Sequence, residues 1–395
     1  MSRSATRSSG SSKLIIAGLR RPSQHRAPGS CIVGPAARQL KPAPGVPAAR
    51  QTVPNHAGRD WRRVRRCRWW LQPVVWTGSG VLSLRRRRTG CLEPMPPSTI
   101  KLLGIQAGAG GRTGGTEDGP VVLRELGLVR RLTAAGHTVE DLGNIPGVYE
   151  TRVARGKGRS VNAFRKVLQF NRHTHAAVLG TLRQSPDAFL LVLGGDHSLA
   201  IGTLAGLSGA CKRLGLLWMD AHPDFNTPGT SPSGNIHGMS LAVVCGRGQP
   251  DLRQIAARDP VLAEEDVWLL GCRDIDAGER SELADSAVHV LRMDEWRKRG
   301  LIDAALDSCR QLAARCDRVH LSFDIDVLDA KFVRGTGTPV PNGLTPDEAT
   351  SVLRALGGQG VVSSAEFVEY NPRLDGDRAT GQLTISLVES LLFPQ

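Results

Sequence analysis

Asp220, His222 and Asp224 stand two residues apart, directly after an apolar run at 214–219 (LGLLWM). In an extended chain, residues two apart point to the same side. This spacing therefore predicts carboxylate, imidazole and carboxylate converging where a buried strand ends. Two other stretches repeat the arrangement. An apolar run at 191–193 leads into Gly194-Gly195-Asp196-His197-Ser198, and the strand Val319-His320-Leu321-Ser322-Phe323 leads into Asp324-Ile325-Asp326. Sites in open α/β sheets form outside the carboxyl ends of the strands. Three strands are thus expected to bring His197, His222, Asp220, Asp224, Asp324 and Asp326 to one edge. Four carboxylates crowded together repel, and without cations some of them would have to protonate. Two divalent ions would neutralise them. Oxygen-rich donors with a minority of imidazole suit Mn²⁺ better than the thiolate-seeking metals, so a site for two Mn²⁺ ions is expected. Asp196 is expected to orient a neighbour rather than bind metal itself.

The elements that must position these residues alternate along the chain. Strands are predicted at 100–105, 137–142, from 189, up to 219, at 267–271, 287–291, 319–323 and 360–368. Helices are predicted at 119–134, 161–182, from 199, and at 301–316, 346–356 and 379–392. Pro120 suits a first helical turn, and Thr345 suits an N-cap. Strand–helix alternation on this scale predicts a single three-layer α/β/α domain with a mostly parallel sheet and helices on both faces.

The 395-residue chain carries a formal charge of +14, which suggests a partner such as nucleic acid or an acidic membrane. The charge is unevenly placed. Residues 1–94 hold 19 Lys and Arg against Asp60 and Glu93, a net of +17; the remainder holds 32 basic and 35 acidic residues, a net of −3. The basicity belongs to the first segment and says nothing about the body, so neither nucleic acid nor membrane is expected as a partner of the catalytic part. Residues 1–94 are rich in Ser, Arg, Pro and Gly without a helical or strand period, and disorder is expected there. An organelle transit peptide and Arg-cluster binding of nucleic acid compete with a mis-assigned start, Met95 being the native one. The favoured division is 1–94 as a disordered extension and 95–395 as the catalytic domain, in the cytoplasm. The eight cysteines form no C-x-x-C pair, and buried reduced thiols are expected. No apolar stretch reaches the length of a transmembrane helix.

Four blocks carry a resemblance. LGGDHSLAIGTLAG, DAHPDFNTPGTSPSGNIHGMSLA, SFDIDVLDA with GTGTPV, and EFVEYNPRLD resemble, in this order, the signature blocks of the ureohydrolase family, its arginases most. The likeness runs from about residue 100 to 393. It implies that His197, Asp220, His222, Asp224, Asp324 and Asp326 hold two Mn²⁺ ions. It also implies that a hydroxide bridging them attacks the guanidinium carbon of L-arginine, giving L-ornithine and urea. Guanidinium is resonance-stabilised and needs a strong nucleophile, which metal coordination makes available near neutral pH.

By the same resemblance Glu369 pairs with the substrate guanidinium, in the two-hydrogen-bond geometry a carboxylate offers. His237 shuttles a proton to the leaving amine. Asn226 and Ser233 hold the substrate carboxylate, Asp276 lies near its amino group, and Thr338 lines the pocket. Glu366, three residues before Glu369, is placed on the other face of the strand. The family implies a homo-oligomer, trimer or hexamer. Ala330, Val333-Arg334 and Tyr370 depart from the usual pattern and are expected to alter the rim of the site. Agmatinase or guanidinobutyrase activity is the alternative, and a non-catalytic metal-binding protein a more distant one. The polar block 230–235 favours a substrate with an α-carboxylate.

Overall fold

The computed structural model describes residues 99–147 and 159–393, and the side chains from 163 onward in the second stretch. The expectations for residues 1–94, including Met95 as the start, lie outside the described residues.

Eight strands form one sheet: β1 (Thr99–Ile105), β2 (Thr138–Ile145), β3 (Phe189–Leu193), β4 (Leu214–Met219), β5 (Val267–Leu270), β6 (His289–Leu291), β7 (Arg318–Asp324) and β8 (Val362–Val368). Their order is β2-β1-β3-β8-β7-β4-β5-β6, and every pairing is parallel. The expected mostly parallel sheet is thus wholly parallel among the described residues. β3 and β4 are buried along their whole length. That is why both read as unbroken apolar runs instead of alternating ones.

Alternation still sorts their side chains between two cores. Leu191, Leu193, Leu217 and Met219 join one cluster; Leu190, Val192, Leu216 and Trp218 join the other. The first cluster packs under α1 (Gly119–Glu125), α2 (Leu128–Ala134), α9 (Leu301–Ala313), α10 (Pro346–Gly357) and α11 (Ala379–Leu392). The second packs under α3 (Arg159–Gln184), α4 (Ala200–Ser208) and α5 (Ser240–Val244). Three layers result, as the sequence predicts.

The differences have local causes. The helix expected over 119–134 is split in two, because Gly127 at φ 97° adopts the left-handed conformation and interrupts the i to i−4 ladder. The short helices α5, α6 (Pro250–Arg253), α7 (Ala277–Ala284) and α8 (Met293–Arg299) carry too few turns to show a hydrophobic period. Thr345 caps α10 as predicted: its hydroxyl accepts the Glu348 N–H while Glu348 accepts the Thr345 N–H. Val333 and Tyr370, expected at the rim, are fully buried in the first core and pack the interior instead. Cys245, Cys272 and Cys309 are buried free thiols, while Cys211 and Cys316 are only partly covered.

Candidate active site

The four central strands β3, β8, β7 and β4 bring their carboxyl ends together, and each sends polar residues beyond its last apolar position. β3 runs through Gly194–Asp196 into a 3-10 turn, His197–Leu199; β4 ends at Met219, just before Asp220; β7 ends at Asp324 and enters a second 3-10 turn, Ile325–Val327. The six residues proposed as metal ligands do converge, but not by continued extension. Asp224 sits at φ 50° in the loop after β4, and Asp326 lies within the 3-10 turn. The straight i, i+2 geometry expected from the spacing is therefore replaced by turns. In both loops the earlier carboxylate fixes the turn, since Asp220 accepts the His222 N–H at 2.7 Å and Asp324 the Asp326 N–H at 2.8 Å.

Two groups result. His197 Nδ1 lies 3.1 Å from Asp220, 3.2 Å from Asp224 and 3.2 Å from Asp324. His222 Nδ1 lies 3.4 Å from Asp220 and 3.2 Å from Asp326. Asp220 belongs to both, turning Oδ2 to the first and Oδ1 to the second. His197 Nδ1 is buried and makes no well-formed hydrogen bond despite three carboxylate oxygens around it. Such a donor set, all oxygen and imidazole nitrogen, suits hard to borderline divalent cations. His197, Asp220 and Asp324 form one set that could hold a metal ion, and Asp220, His222 and Asp326 another.

Electrostatics agree with that fit. Burial, with the charges of Asp326 and Asp220, pushes the Asp324 carboxyl well above its usual range. Burial and the charge of Asp220 push Asp224 up to about 6. Burial would lower the His222 imidazole, but Asp326 and Asp220 outweigh it and hold it high. Four carboxylates in this space resist common ionisation unless cations neutralise them.

His197 is oriented from behind. Its ring stacks on Trp218 with centroids 3.9 Å apart, and its Nε2 lies 2.8 Å from Ser322 Oγ, which donates to Glu366 Oε1 at 2.8 Å. Glu366 is fully buried. It reaches His197 through Ser322, while Glu369 lies past the end of β8 at φ 64°, where strand alternation no longer applies.

A cavity of about 220 Å³ opens over the cluster, lined among others by Asp224, Asn226, Ser233, His237, Asp276 and Thr338. Asn226 Nδ2 donates to Asp276 Oδ2 at 3.0 Å. Thr338 donates to Asp326 Oδ2 at 2.9 Å, so it also steadies a cluster carboxylate. Ser233 is exposed at the mouth and accepts the Asn235 N–H. Glu369 Oε1 lies 3.0 Å from His237 Nδ1 and accepts the His197 backbone N–H at 2.8 Å.

Sequence reasoning passed over two lining carboxylates, Asp274 and Glu279. Glu279 accepts the N–H groups of Phe225 and Asp276, and burial, reinforced by Asp224, pushes it up to about 8. Its signal was present: an acid three residues after Asp276, at the start of a helix, fits a capping pattern.

A wholly parallel sheet with a carboxylate–imidazole cluster at its carboxyl edge defines an α/β protein built around a metal-type site. The Arginase family matches residues 98–393, three quarters of the chain, and the chain belongs to that family. The arginase of Bacillus subtilis (strain 168) is 41% identical over 294 residues, covering 74% of this chain and 97% of that protein. The crystal structure of the Bacillus caldovelox arginase aligns at a TM-score of 0.70 with 38% identity, over 76% of this chain and 99% of that one. That of the Entamoeba histolytica arginase in complex with L-ornithine aligns at 0.68 with 30% identity, over 76% and 99%. The chain is an arginase-type ureohydrolase, an enzyme. No helix among the described residues is long and apolar enough to cross a membrane.

Proposed function

We propose that the enzyme hydrolyses L-arginine to L-ornithine and urea with two Mn²⁺ ions. The observation that carries this is the composition of the cavity over the cluster. Asp224 and Asp324 lie at its metal-type floor, and amide, hydroxyl and carboxylate groups suited to an α-amino acid line its walls. The relative that resembles this chain in complex with L-ornithine supports the same substrate class.

His197, Asp220, His222, Asp224, Asp324 and Asp326 would hold the ions, which supply a strong nucleophile at neutral pH and charge stabilisation. The other residues bind and orient. Glu369 pairs with the guanidinium, and His237 delivers a proton to the departing amine nitrogen. Asn226 and Ser233 hold the carboxylate, Asp276 faces the amino group, and Thr338 completes the wall. His237 suits its task because Glu369 keeps its imidazole charged: burial would lower it, yet the hydrogen bond and charge of Glu369 push it up to about 9. The enzyme acts in the cytoplasm as a homo-oligomer.

Urea release from arginine, agmatine and 4-guanidinobutyrate, with Mn²⁺ supplied, tests the proposal. Arginine should be turned over far faster than the other two. Preference for agmatine or 4-guanidinobutyrate would overturn the substrate assignment.

A further inference from the structure

His237 is held at its side chain by Glu369, but its backbone is held elsewhere. The N–H groups of Ile236 and His237 both donate to the carbonyl oxygen of Gly110, at 2.9 and 3.2 Å. Gly110 belongs to the Gly-rich stretch after β1, and the next residue, Gly111, lies against the His237 ring: a Cβ built there would stand 3.7 Å from the imidazole. The loop that carries His237 and the wall behind its ring thus depend on where the Gly110 peptide sits.

The N–H of the same residue, one peptide group earlier, is held by one buried carboxylate. Asp196 Oδ2 accepts the Gly110 N–H at 2.8 Å, and the Asp196 N–H donates to the Ala107 carbonyl oxygen at 3.0 Å. Asp196 is 1% exposed, and its other oxygen accepts the Ser198 N–H at 3.0 Å as well as the Ser198 hydroxyl. No side chain fits between them, since a Cβ on Gly110 would stand 2.4 Å from Ser198 Oγ and 2.5 Å from Asp196 Oδ1. On the far side of His237, the neighbouring peptides hold Glu369: its N–H donates to the Gly195 carbonyl, and its Oε1 accepts the His197 N–H, both at 2.8 Å. One tripeptide, Gly195-Asp196-His197, therefore anchors both partners of the His237–Glu369 pair.

We propose that Asp196 is a positioning residue for His237, acting through the backbone of Gly110. Its two oxygens have separable tasks. One caps the turn that presents His197; the other sets the height of the Gly-rich loop and, through it, of the His237 backbone. The inference rests on the assignment of His237 as the proton-delivering group.

Two variants separate the tasks. In Asp196→Ser the hydroxyl still caps the turn, but it is too short to reach Gly110 as well. In Asp196→Asn the amide oxygen can still accept the Gly110 N–H, whereas the amide nitrogen can no longer accept from Ser198 Oγ and gives up the cap on the Ser198 N–H. Misplacement of a catalytic group by about 1 Å costs on the order of 10²-fold. Asp196→Ser should therefore lower kcat by roughly 10- to 100-fold with KM for arginine and bound Mn²⁺ nearly unchanged, and Asp196→Asn should recover most of it. The decisive readout is a double-mutant cycle with His237→Ala. If Asp196 acts through His237, Asp196→Ser should cost little more once the imidazole is gone. An equal fall in both backgrounds, or a fall that tracks loss of bound metal, overturns the proposal. An undiminished kcat in His237→Ala alone would instead overturn the role of His237, and this inference with it.

Discussion

Asn226 donates its side-chain N–H to the carboxylate of Asp276 across 3.0 Å, linking the loop after β4 to the start of α7. The two groups proposed for opposite ends of an α-amino acid thus hold each other in place. Thr230 Oγ1 donates to Asn226 Oδ1 at 3.0 Å and fixes the amide from the other side. The recognition wall is prearranged by its own hydrogen bonds, which limits the ordering cost of binding.

A wall of this kind discriminates against a ligand that leaves its polar groups unpaired. Agmatine has no carboxylate, so kcat/KM should fall by roughly two to four orders of magnitude relative to arginine. Asn226→Ala should raise the KM for arginine by about 10- to 100-fold, the range of a lost hydrogen bond to a charged group. Bound metal and the agmatine rate should stay unchanged. Steady-state kinetics on both substrates decide it; equal turnover of the two by the unaltered enzyme would refute the carboxylate assignment.

Chelation should abolish activity and Mn²⁺ should restore it. Since Asp224 and Asp324 are pushed up in the absence of cations, bound ions should also raise Tm, acting as ligands of the folded state. Metal analysis of active enzyme is expected to give two ions per chain. A value well below two would rule out the binuclear site.

His237 sets an alkaline limit. Its folded value of about 9 lies above the ordinary 6.5. The stability it contributes is therefore fully present below pH 6.5 and is lost as pH rises through 9. The proton needed by the departing amine is lost over the same range. Activity should decline near pH 9, and His237→Asn should flatten both this limb and the matching loss in Tm. A limb that survives the substitution belongs to another group.

Ser322→Ala removes the hydroxyl that bridges His197 Nε2 and Glu366. Loss of such an outer contact typically weakens metal affinity about 10- to 100-fold. Competition against a chelator should show that drop with kcat at saturating Mn²⁺ changed much less. Unaltered affinity would mean that the Trp218 stack alone orients the ring.

Most of the framework was legible because buried parallel strands announce themselves. The runs at 189–193 and 214–219 are apolar throughout, while the stretch before Asp324 is interrupted by His320 and Ser322. Geometry at the strand ends was not legible. Asp224 and Glu369 adopt positive φ, and Asp326 enters a 3-10 turn, conformations that period-2 reasoning does not anticipate. The relation of Glu366 to Glu369 was not legible for the same reason, since strand alternation stops one residue before Glu369. Glu279 carries a capping signal in the sequence, but its contact with the Phe225 N–H and its burial at the site are created only by the fold.

The last strand in the chain, β8, lies between β3 and β7 in the middle of the sheet. It alone joins two ribbons of the sheet, β2-β1-β3 and β7-β4-β5-β6, which share no other strand pairing among the described residues. His197 sits on one ribbon, and Asp220 and Asp324 on the other. A chain cut short after β7 would carry every proposed metal ligand yet lack the strand that joins the two halves holding them.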